Sequence, residues 1–250
     1  MNNLPSVYDN ALLAQLADSP TSQELAFQLR YQVYCKERGF ELEDRFPLGL
    51  ERDEHDARAL HILVRNRSCG APLGVSRVLL DDPCGQTCLP VETHGCAAVR
   101  ERLARLRDTE NVHVAEISRF AVTRNIGHVM PRQQSVSSAH VSMGVVAMIF
   151  AQSWCHDVTH WIGLLGASLP RFLRRLGIIC KPIGSVIEYR GKRQPVIADL
   201  RDVWQGVARR NPDLIRLAER FAGEGPLPVH QLVASAAMNE QRSAVEARVA

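Results

Sequence analysis

The sequence lacks an apolar segment long enough to cross a bilayer, which requires about 20 consecutive apolar residues. The longest candidate, residues 141–154, is interrupted by Ser142, Gly144, Gln152 and Ser153. The first ten residues, MNNLPSVYDN, contain neither a basic region nor an apolar core, so they predict no signal peptide. We therefore expect a cytoplasmic protein without a transmembrane segment.

The sequence also has little net charge. Its 30 basic and 27 acidic side chains leave a formal charge of +3, too small to demand a polyanionic partner. Basic stretches interleaved with aromatic residues are absent, so we expect no nucleic-acid partner. With 46% hydrophobic residues, the chain can form one sizeable core. We expect a single domain over residues 1–223 and a loosely ordered tail over residues 224–250.

The cysteine spacing of a disulfide framework is missing as well. Seven cysteines, an odd number, are spread along the chain, which favours reduced thiols. Cys84, Cys88, His94 and Cys96 supply four possible zinc ligands within a short segment, but their spacing is not a common zinc-finger spacing. We favour a loop with small, weakly polar thiols over a metal site.

What the sequence does contain is a succession of strand-like and helical segments. Strands are predicted over residues 59–66, 72–80, 112–122 and 161–168, and as a hairpin over residues 179–200 turned at RGKR. Helices are predicted over residues 21–39, 97–107, 135–154 and 169–177, and over residues 202–221 with a break at Asn211 and Pro212. The first helix would be capped by Thr21 or Ser22 and ended by Gly39. The order indicates an α/β or α+β sheet domain with helices on both faces.

A polar loop over residues 40–58 carries the carboxylates Glu51, Asp53 and Asp56 in the pattern ExDxxD. Such a run alone is typical of a solvated loop. The predicted strands, however, contain Arg77 in one and the segment 116–119 in another, each among apolar neighbours. Because burying an unpaired charge costs several kcal/mol or more, these charges need partners, and the loop can supply them.

Glu116 and Arg119 are three residues apart, which places them on opposite faces of a regular strand. They share a face only if a β-bulge lies between them. From the residues alone, a structural ion-pair network and a functional site both stay open.

The polar set resembles that of the acyl-homoserine-lactone autoinducer synthases. Arg30, Tyr34 and Phe40, the ExDxxD pattern, Arg77 and the segment ExSRF (116–120) carry this resemblance, which covers residues 30–122. The segments RYQVYCKERGFE, GLERDEHDARALHIL, LPVE and AEISRFAV look closer still to PEP-CTERM/exosortase system-associated acyltransferases and N-acyl amino acid synthases. The resemblance implies the GNAT acyltransferase fold, a central mixed, splayed sheet with helices on both faces.

The resemblance further implies an N-acyltransferase that moves a fatty acyl group from an acyl-carrier-protein thioester to the amine of an amino acid or similar small acceptor. No cofactor is expected beside these substrates. The loop RNIGHV departs from the Q/RxxGxG/A pattern of CoA-dependent GNAT enzymes at Val129, which favours acyl carrier protein over acyl-CoA. Two alternatives stay open: a catalytically silent module that binds acyl carrier protein or an export-system partner, and an acyl-homoserine-lactone synthase.

The implied reaction assigns a role to each polar residue. We expect Glu116 to be the general base, with Arg77 and Arg119 as further catalytic residues, and backbone amides of residues 120–122 to stabilise the oxyanion. One of Arg30, Arg77 and Arg119 would hold an acceptor carboxylate. Direct attack by the amine is favoured over a covalent intermediate on Cys35, since no histidine base is placed beside it. The expected substrate-binding residues are Arg30, Tyr34, Phe40, Glu51, Asp53, Asp56, Phe120 and Val122.

Two further surfaces follow from the substrates. An apolar tunnel for the acyl chain, unless the same residues are core, is expected at Val141, Val145, Met148, Ile149, Trp161, Ile162 and Leu164. Residues 169–193 hold seven basic side chains and one acidic side chain, which suits an acidic carrier protein. The expected carrier-docking residues are Arg171, Arg174, Arg175 and Lys181.

Overall fold

The computed structural model describes residues 4–82, 87–130 and 136–223. The strands of this part are β1 Leu12–Leu16, β2 Leu60–Asn66, β3 Pro72–Leu80, β4 Val114–Val122, β5 His160–Gly166, β6 Lys181–Pro182, β7 Ile187–Glu188 and β8 Lys192–Asp199. Its α-helices are α1 Leu4–Asn10, α2 Pro20–Tyr31, α3 Pro90–His94, α4 Ala97–Arg107, α5 Ile126–Val129, α6 Ser138–Cys155, α7 Leu169–Leu176, α8 Leu200–Arg210 and α9 Pro212–Ala222.

The strands form one mixed sheet in the order β1-β2-β3-β4-β5-β8-β6, with β7 also paired to β8. Neighbouring strands run antiparallel except for β4 and β5, which are parallel. The β4–β5 pairing extends only from Val114 opposite His160 to Glu116 opposite Ile162. Beyond Glu116 the two strands diverge and leave a cleft in the sheet, so the predicted mixed, splayed sheet with flanking helices is confirmed.

A β-bulge in β4 places Arg119 next to Arg77. The β3–β4 register shifts between Val75 and Arg77, so that Ser76 alone opposes Arg119 and Phe120. Arg119 takes the left-handed backbone conformation at φ 53°, which a bulge residue can require. Since Arg77 and Arg119 then bind the same carboxylate of Asp53, the two guanidinium groups lie on one face of the sheet.

Helices cover both faces of the sheet. On one face, α2 packs on β2 and β3 through small and aliphatic residues that include Ala26 and Leu29. On the other face, α6 packs on β1 to β4 and on α9. The close fit of α1 against α6 depends on Gly144, because a Cβ there would lie 1.6 Å from the Tyr8 hydroxyl. That hydroxyl donates to the His140 carbonyl at 2.9 Å.

Three sequence predictions need correction. The first helix starts at Pro20 with Ser19 as its cap, and it continues as a π-helical turn over Gln32–Glu37. Neither α1 nor β1 was predicted, because each is too short for a clear hydrophobic period. The four arginines of the helix predicted over residues 97–107 are expected to face water, but Arg107 is half-buried between two acids.

The other predicted elements lie close to their predicted positions, and α4 has the predicted bounds. The short helices α3 and α5 lie where no helix was predicted. The predicted stop at Gly177 has the left-handed conformation, with φ 95°, that favours glycine at a helix end. Over the described ranges, no helix is both long and apolar enough to cross a membrane. The predicted tail over residues 224–250 falls outside the described residues.

Candidate active site

A cavity of about 1040 Å³ opens where β4 and β5 diverge. Its walls are residues 116–124 on and after β4, the end of β5 and the start of α7, the tip of the β7–β8 hairpin and the π-helical turn after α2. The cavity therefore lies at the one place where neighbouring strands of the described sheet leave each other.

Two buried carboxyl groups lie on the cavity wall. Glu41 is paired with Arg190, whereas Glu116, with 2% of its surface exposed, has no ion-pair partner among the described residues. Glu116 Oε2 accepts a hydrogen bond from the Val91 backbone N–H at 2.7 Å. Burial raises the pKa of Glu116 to about 7, although the Val91 hydrogen bond and the nearby Arg77 and Arg119 act in the opposite direction. A carboxyl group with this pKa can exchange a proton near neutral pH.

Helix α3, which carries the Val91 N–H, is held by a second ion cluster. Glu92 Oε2 accepts from the Leu89 N–H at 2.9 Å and so caps the helix. Arg107 donates to both oxygens of Glu92, at 2.9 and 2.8 Å, and to both oxygens of Asp81, at 2.8 and 2.6 Å. These bonds tie α3 to α4 and to the end of β3, and thereby fix the donor that contacts Glu116.

The three loop carboxylates meet three arginines in a single network. Asp56 Oδ1 accepts from Arg30 Nη1 at 2.7 Å and from Arg77 Nη1 at 2.8 Å, and Arg77 Nη1 also lies 2.5 Å from Asp53 Oδ1. Arg119 Nη2 donates to Asp53 Oδ2 at 2.7 Å. Glu51 accepts from Arg119 Nε at 3.1 Å and pairs with Arg30.

The pairing controls the charge state of the network. Burial alone would raise the pKa of Asp56, but Arg30 and Arg77 more than offset it and hold the pKa well below its usual range. The pKa values of Glu51 and Asp53 are lowered in the same way. All three acids are therefore ionised at neutral pH.

The structure brings the predicted catalytic and substrate-binding charges together, but they differ in their access to the cavity. Arg30, Arg77 and Glu51 are fully buried, and neither they nor Asp53 and Asp56 line the cavity. Arg119 does line it, as does Glu116. The network therefore backs the wall from which these two residues project.

The predicted aromatic residues lie on the wall. Tyr34 donates its hydroxyl hydrogen to the Phe120 carbonyl at 3.1 Å, and its ring centroid lies 6.3 Å from that of Phe40. Tyr34, Phe40, Phe120 and Val122 all line the cavity. They connect the π-helical turn to the part of β4 that no longer pairs with β5.

The predicted acyl pocket needs revision. Of its residues, Leu164 lines the cavity, but Val141, Val145, Met148, Ile149, Trp161 and Ile162 are buried in the core. Helix α6 turns Val141 and Val145 toward the sheet: a Cβ at Gly74 would lie 2.6 Å from a Val141 methyl group and 3.0 Å from a Val145 methyl group. The apolar residues that do line the cavity away from the charged wall are Ile126, Val136, Leu164, Leu165, Leu169 and Phe172.

Sequence reasoning missed the tip of the β7–β8 hairpin, which it interpreted only as a turn. Tyr189, Arg190 and Arg193 line the cavity. The Tyr189 ring stacks on His94 with centroids 3.9 Å apart, and Arg190 Nε lies 2.5 Å from Glu41 Oε1. The basic stretch had shown charge at these positions, but not that strand alternation would turn part of it inward.

The predicted docking residues are on the surface. Arg171, Arg174 and Arg175 are exposed on α7, and the exposed Lys181 pairs with Asp202 at 3.2 Å. Of the four possible zinc ligands, for which the sequence favours a loop without metal, Cys84 lies outside the described residues. No group of three or more His, Cys, Asp or Glu side chains suited to a metal ion occurs in the described part of the chain.

Comparison with known proteins agrees with this geometry. Residues 29–128 match the family model described as an acetyltransferase (GNAT) domain. No curated protein matches the chain.

Solved structures with similar folds include proteins described as synthases. FeeM, an N-acyl amino acid synthase from uncultured soil microbes, superposes with a TM-score of 0.55 at 16% identity, over 80% of this chain and 96% of its own. TofI, in a ternary complex with an inhibitor and MTA, superposes with a TM-score of 0.54 at 21% identity, over 81% of this chain and 98% of its own. BjaI, a CoA-dependent acyl-homoserine lactone synthase, superposes with a TM-score of 0.55 at 17% identity, over 86% of this chain and 90% of its own. Residues 29–128 thus match a GNAT domain, and the chain has the same fold as these solved structures.

Proposed function

We propose that the protein is an N-acyltransferase that moves a fatty acyl group from a thioester to the amine of an amino acid or similar small acceptor. The observation that carries this proposal is the placement of Glu116. It is a buried carboxyl group with a pKa of about 7 on the wall of a cavity that also has apolar lining. An amine nucleophile needs such a base, because its protonated form cannot attack.

The reaction needs two proton transfers, one onto Glu116 and one off it, and one bond exchange. The acceptor nitrogen attacks the thioester carbonyl carbon, and Glu116 takes the proton that the nitrogen loses. The C–N bond forms and the C–S bond breaks, and the leaving thiolate takes up that proton from Glu116. Backbone amides at Phe120 to Val122, on the strand edge beyond the end of the β4–β5 pairing, are the donors proposed for the developing oxyanion.

The proposed roles of the arginines follow from whether each one lines the cavity. Arg119 is the network residue that can contact substrates directly, since it lines the cavity. Arg30 and Arg77, with Glu51, Asp53 and Asp56, hold Arg119 and the bulge in place rather than binding substrate. This changes the sequence-based assignment to a positioning role, for Arg77 from a catalytic residue and for the other four from substrate-binding residues.

The donor is proposed to be acyl carrier protein, because exposed arginines on α7 lie next to the cavity residues Leu169 and Phe172 and can steer an acidic partner. Acyl-CoA is the alternative, and BjaI is described as CoA-dependent. The exosortase association, inferred from four sequence segments, stays a prediction, as does a cytoplasmic location.

Mass spectrometry of lipid extracts from cells that express the protein tests the proposal. We expect a new acyl-amine with the wild type, and a decrease of about 10²- to 10⁴-fold with Glu116→Gln. The exposed residue Glu101 supplies the matched control, and Glu101→Gln should leave the product unchanged. Absence of any product with the wild type would favour a silent binding module.

Purified protein with a panel of amines separates the remaining alternatives. Decanoyl-carrier protein should be used faster than decanoyl-CoA at low salt, and the difference should shrink as salt screens the approach. Release of lactone and methylthioadenosine from S-adenosylmethionine would instead identify a homoserine-lactone synthase, the function that the similar BjaI structure is described as having.

A further inference from the structure

The cationic side chains that line the cavity differ in their partners. Arg119 is paired with Glu51 and Asp53, and Arg190 is paired with Glu41. Arg193 is half-buried, and none of the described residues places a carboxylate within ion-pair distance of it. The exposed cationic residues on the cavity are Arg38, Arg124 and Lys192.

The guanidinium group of Arg193 is fixed although it has no acid partner. Its Nε donates to the Tyr189 carbonyl at 3.2 Å and its Nη2 donates to the Arg190 carbonyl at 2.8 Å. Its plane lies over the Phe40 ring, with 5.0 Å from Cζ to the ring centroid. These contacts use one edge of the guanidinium group and leave the Nη1 hydrogens for another acceptor.

A glycine on the neighbouring strand makes room for that free edge. Gly166 of β5 pairs with Arg193 of β8 in the sheet register. A Cβ at Gly166 would lie 2.6 Å from Arg193 Nη1, so any larger residue would displace the guanidinium group. The position of the guanidinium group therefore depends on both Arg193 and Gly166.

The charge around Arg193 favours an anionic ligand. Burial lowers the pKa of Arg193, and the neighbouring Arg190 and Arg119 lower it further, while the Tyr34 and Tyr189 side chains act in the opposite direction. A half-buried cation near two other cations gains from an anion that the fold does not provide.

We propose that Arg193 binds the carboxylate of the acyl acceptor, which makes the acceptor a small amine with a carboxylate group. The inference rests on the proposed acyl transfer and names its substrate class. It also replaces Arg30 and Arg77 in that role, since both are fully buried behind the wall. A phosphate group of the donor is the other possible anion, and the exposed Arg38 and Arg124 are available for it at the mouth of the cavity.

Calorimetry with product analogues tests this binding without turnover. The probes are the N-decanoyl derivatives of glycine, leucine and tyrosine, each as the free acid and as the neutral carboxamide. With the wild type, we expect the best free acid to bind about 10- to 100-fold more tightly than its carboxamide. Arg193→Gln should remove this preference, whereas the exposed control Arg209→Gln should keep it.

Two further variants separate charge from position and binding from catalysis. Gly166→Ala keeps every charge but displaces the guanidinium group, so it should also reduce the preference. Glu116→Gln should keep the preference while it abolishes transfer. A failed transfer assay therefore contradicts the proposed acyl transfer, whereas a failed binding assay contradicts the role of Arg193.

The inference is overturned if the wild type binds no free acid more tightly than its carboxamide, or if Arg193→Gln keeps the preference. In the second case, the binding of decanoyl-CoA and of phosphate-free decanoyl-pantetheine is compared. If Arg193→Gln weakens only the binding of decanoyl-CoA, that result would assign Arg193 to the phosphate of the donor.

Discussion

The buried ion-pair network and the cavity wall contain the same residue types but use them differently. In the network, Arg30, Arg77 and the three loop carboxylates each have an opposite charge within hydrogen-bonding distance. On the wall, Glu116 accepts a hydrogen bond from a backbone amide, and Arg193 donates to backbone carbonyls. The paired charges behind the wall, such as Arg30 and Arg77, hold the fold, whereas Glu116 and Arg193 on the wall are bound by backbone groups and remain available to substrates.

Breaking the network should have the largest effect on stability. Asp56→Ala removes the shared partner of Arg30 and Arg77, both of which are fully buried. We expect the free energy of unfolding to fall by about 3–5 kcal/mol, because the two cations lose a buried counter-charge. Urea denaturation measures the change through the shift of the midpoint.

The control for this experiment is an exposed pair. Lys181 and Asp202 lie 3.2 Å apart with side chains 69% and 62% exposed, so Lys181→Ala should cost less than about 1 kcal/mol. Similar losses for the two variants would mean that the network is not a structural unit, and the contrast with the wall would fail.

The two regions should also respond to pH in opposite directions. The network acids have lowered pKa values, so their contribution is present above the pKa of the unfolded chain and is lost in acid. Glu116 has a raised pKa of about 7 against a usual value of 4.5. Its contribution is therefore complete below about pH 4.5 and is lost as the pH rises through 7, a change of about 3 kcal/mol.

Comparison of the wild type with Glu116→Gln isolates this contribution. Burial also lowers the pKa values of His61 and His160, and this contribution is common to both proteins. The informative quantity is the difference in unfolding free energy between the two proteins at pH 5 and at pH 7.5. If that difference does not change with pH, Glu116 titrates normally and cannot be the base proposed here.

The charged network was predictable because it follows from a simple requirement. Arg77 and Arg119 lie within apolar strands, and the ExDxxD loop was the nearest source of acids. The β-bulge was one of two alternatives that the spacing of Glu116 and Arg119 left open, and the register shift at Val75 to Arg77 decides between them.

The cavity wall was harder to predict because it depends on where strands separate. Residues on α6 have the composition of an acyl tunnel, but only the packing of α6 on β3 shows that Val141 and Val145 are core. Arg193 was visible only as part of a basic stretch. Its inward direction depends on its register with Gly166, which is set by long-range pairing rather than by local sequence.

Tyr34 lies at the boundary between the two regions and should show the smallest effect. Its ring lines the cavity, and its hydroxyl donates to the Phe120 carbonyl at 3.1 Å. Tyr34→Phe removes this hydrogen bond and should lower the free energy of unfolding by about 1 kcal/mol. The control is Tyr31→Phe, because the Tyr31 hydroxyl makes only a long, exposed contact of 3.5 Å with Glu43.

Urea denaturation of both tyrosine variants, together with binding of the N-decanoyl free acids, assigns Tyr34 to one region. A loss of stability with unchanged binding would place it with the network, where hydrogen bonds support the fold. Weaker binding with unchanged stability would place it with the wall and contradict the structural role expected from its bond to β4. The second result would mean that the hydroxyl contacts substrate, since the ring itself is the same in phenylalanine.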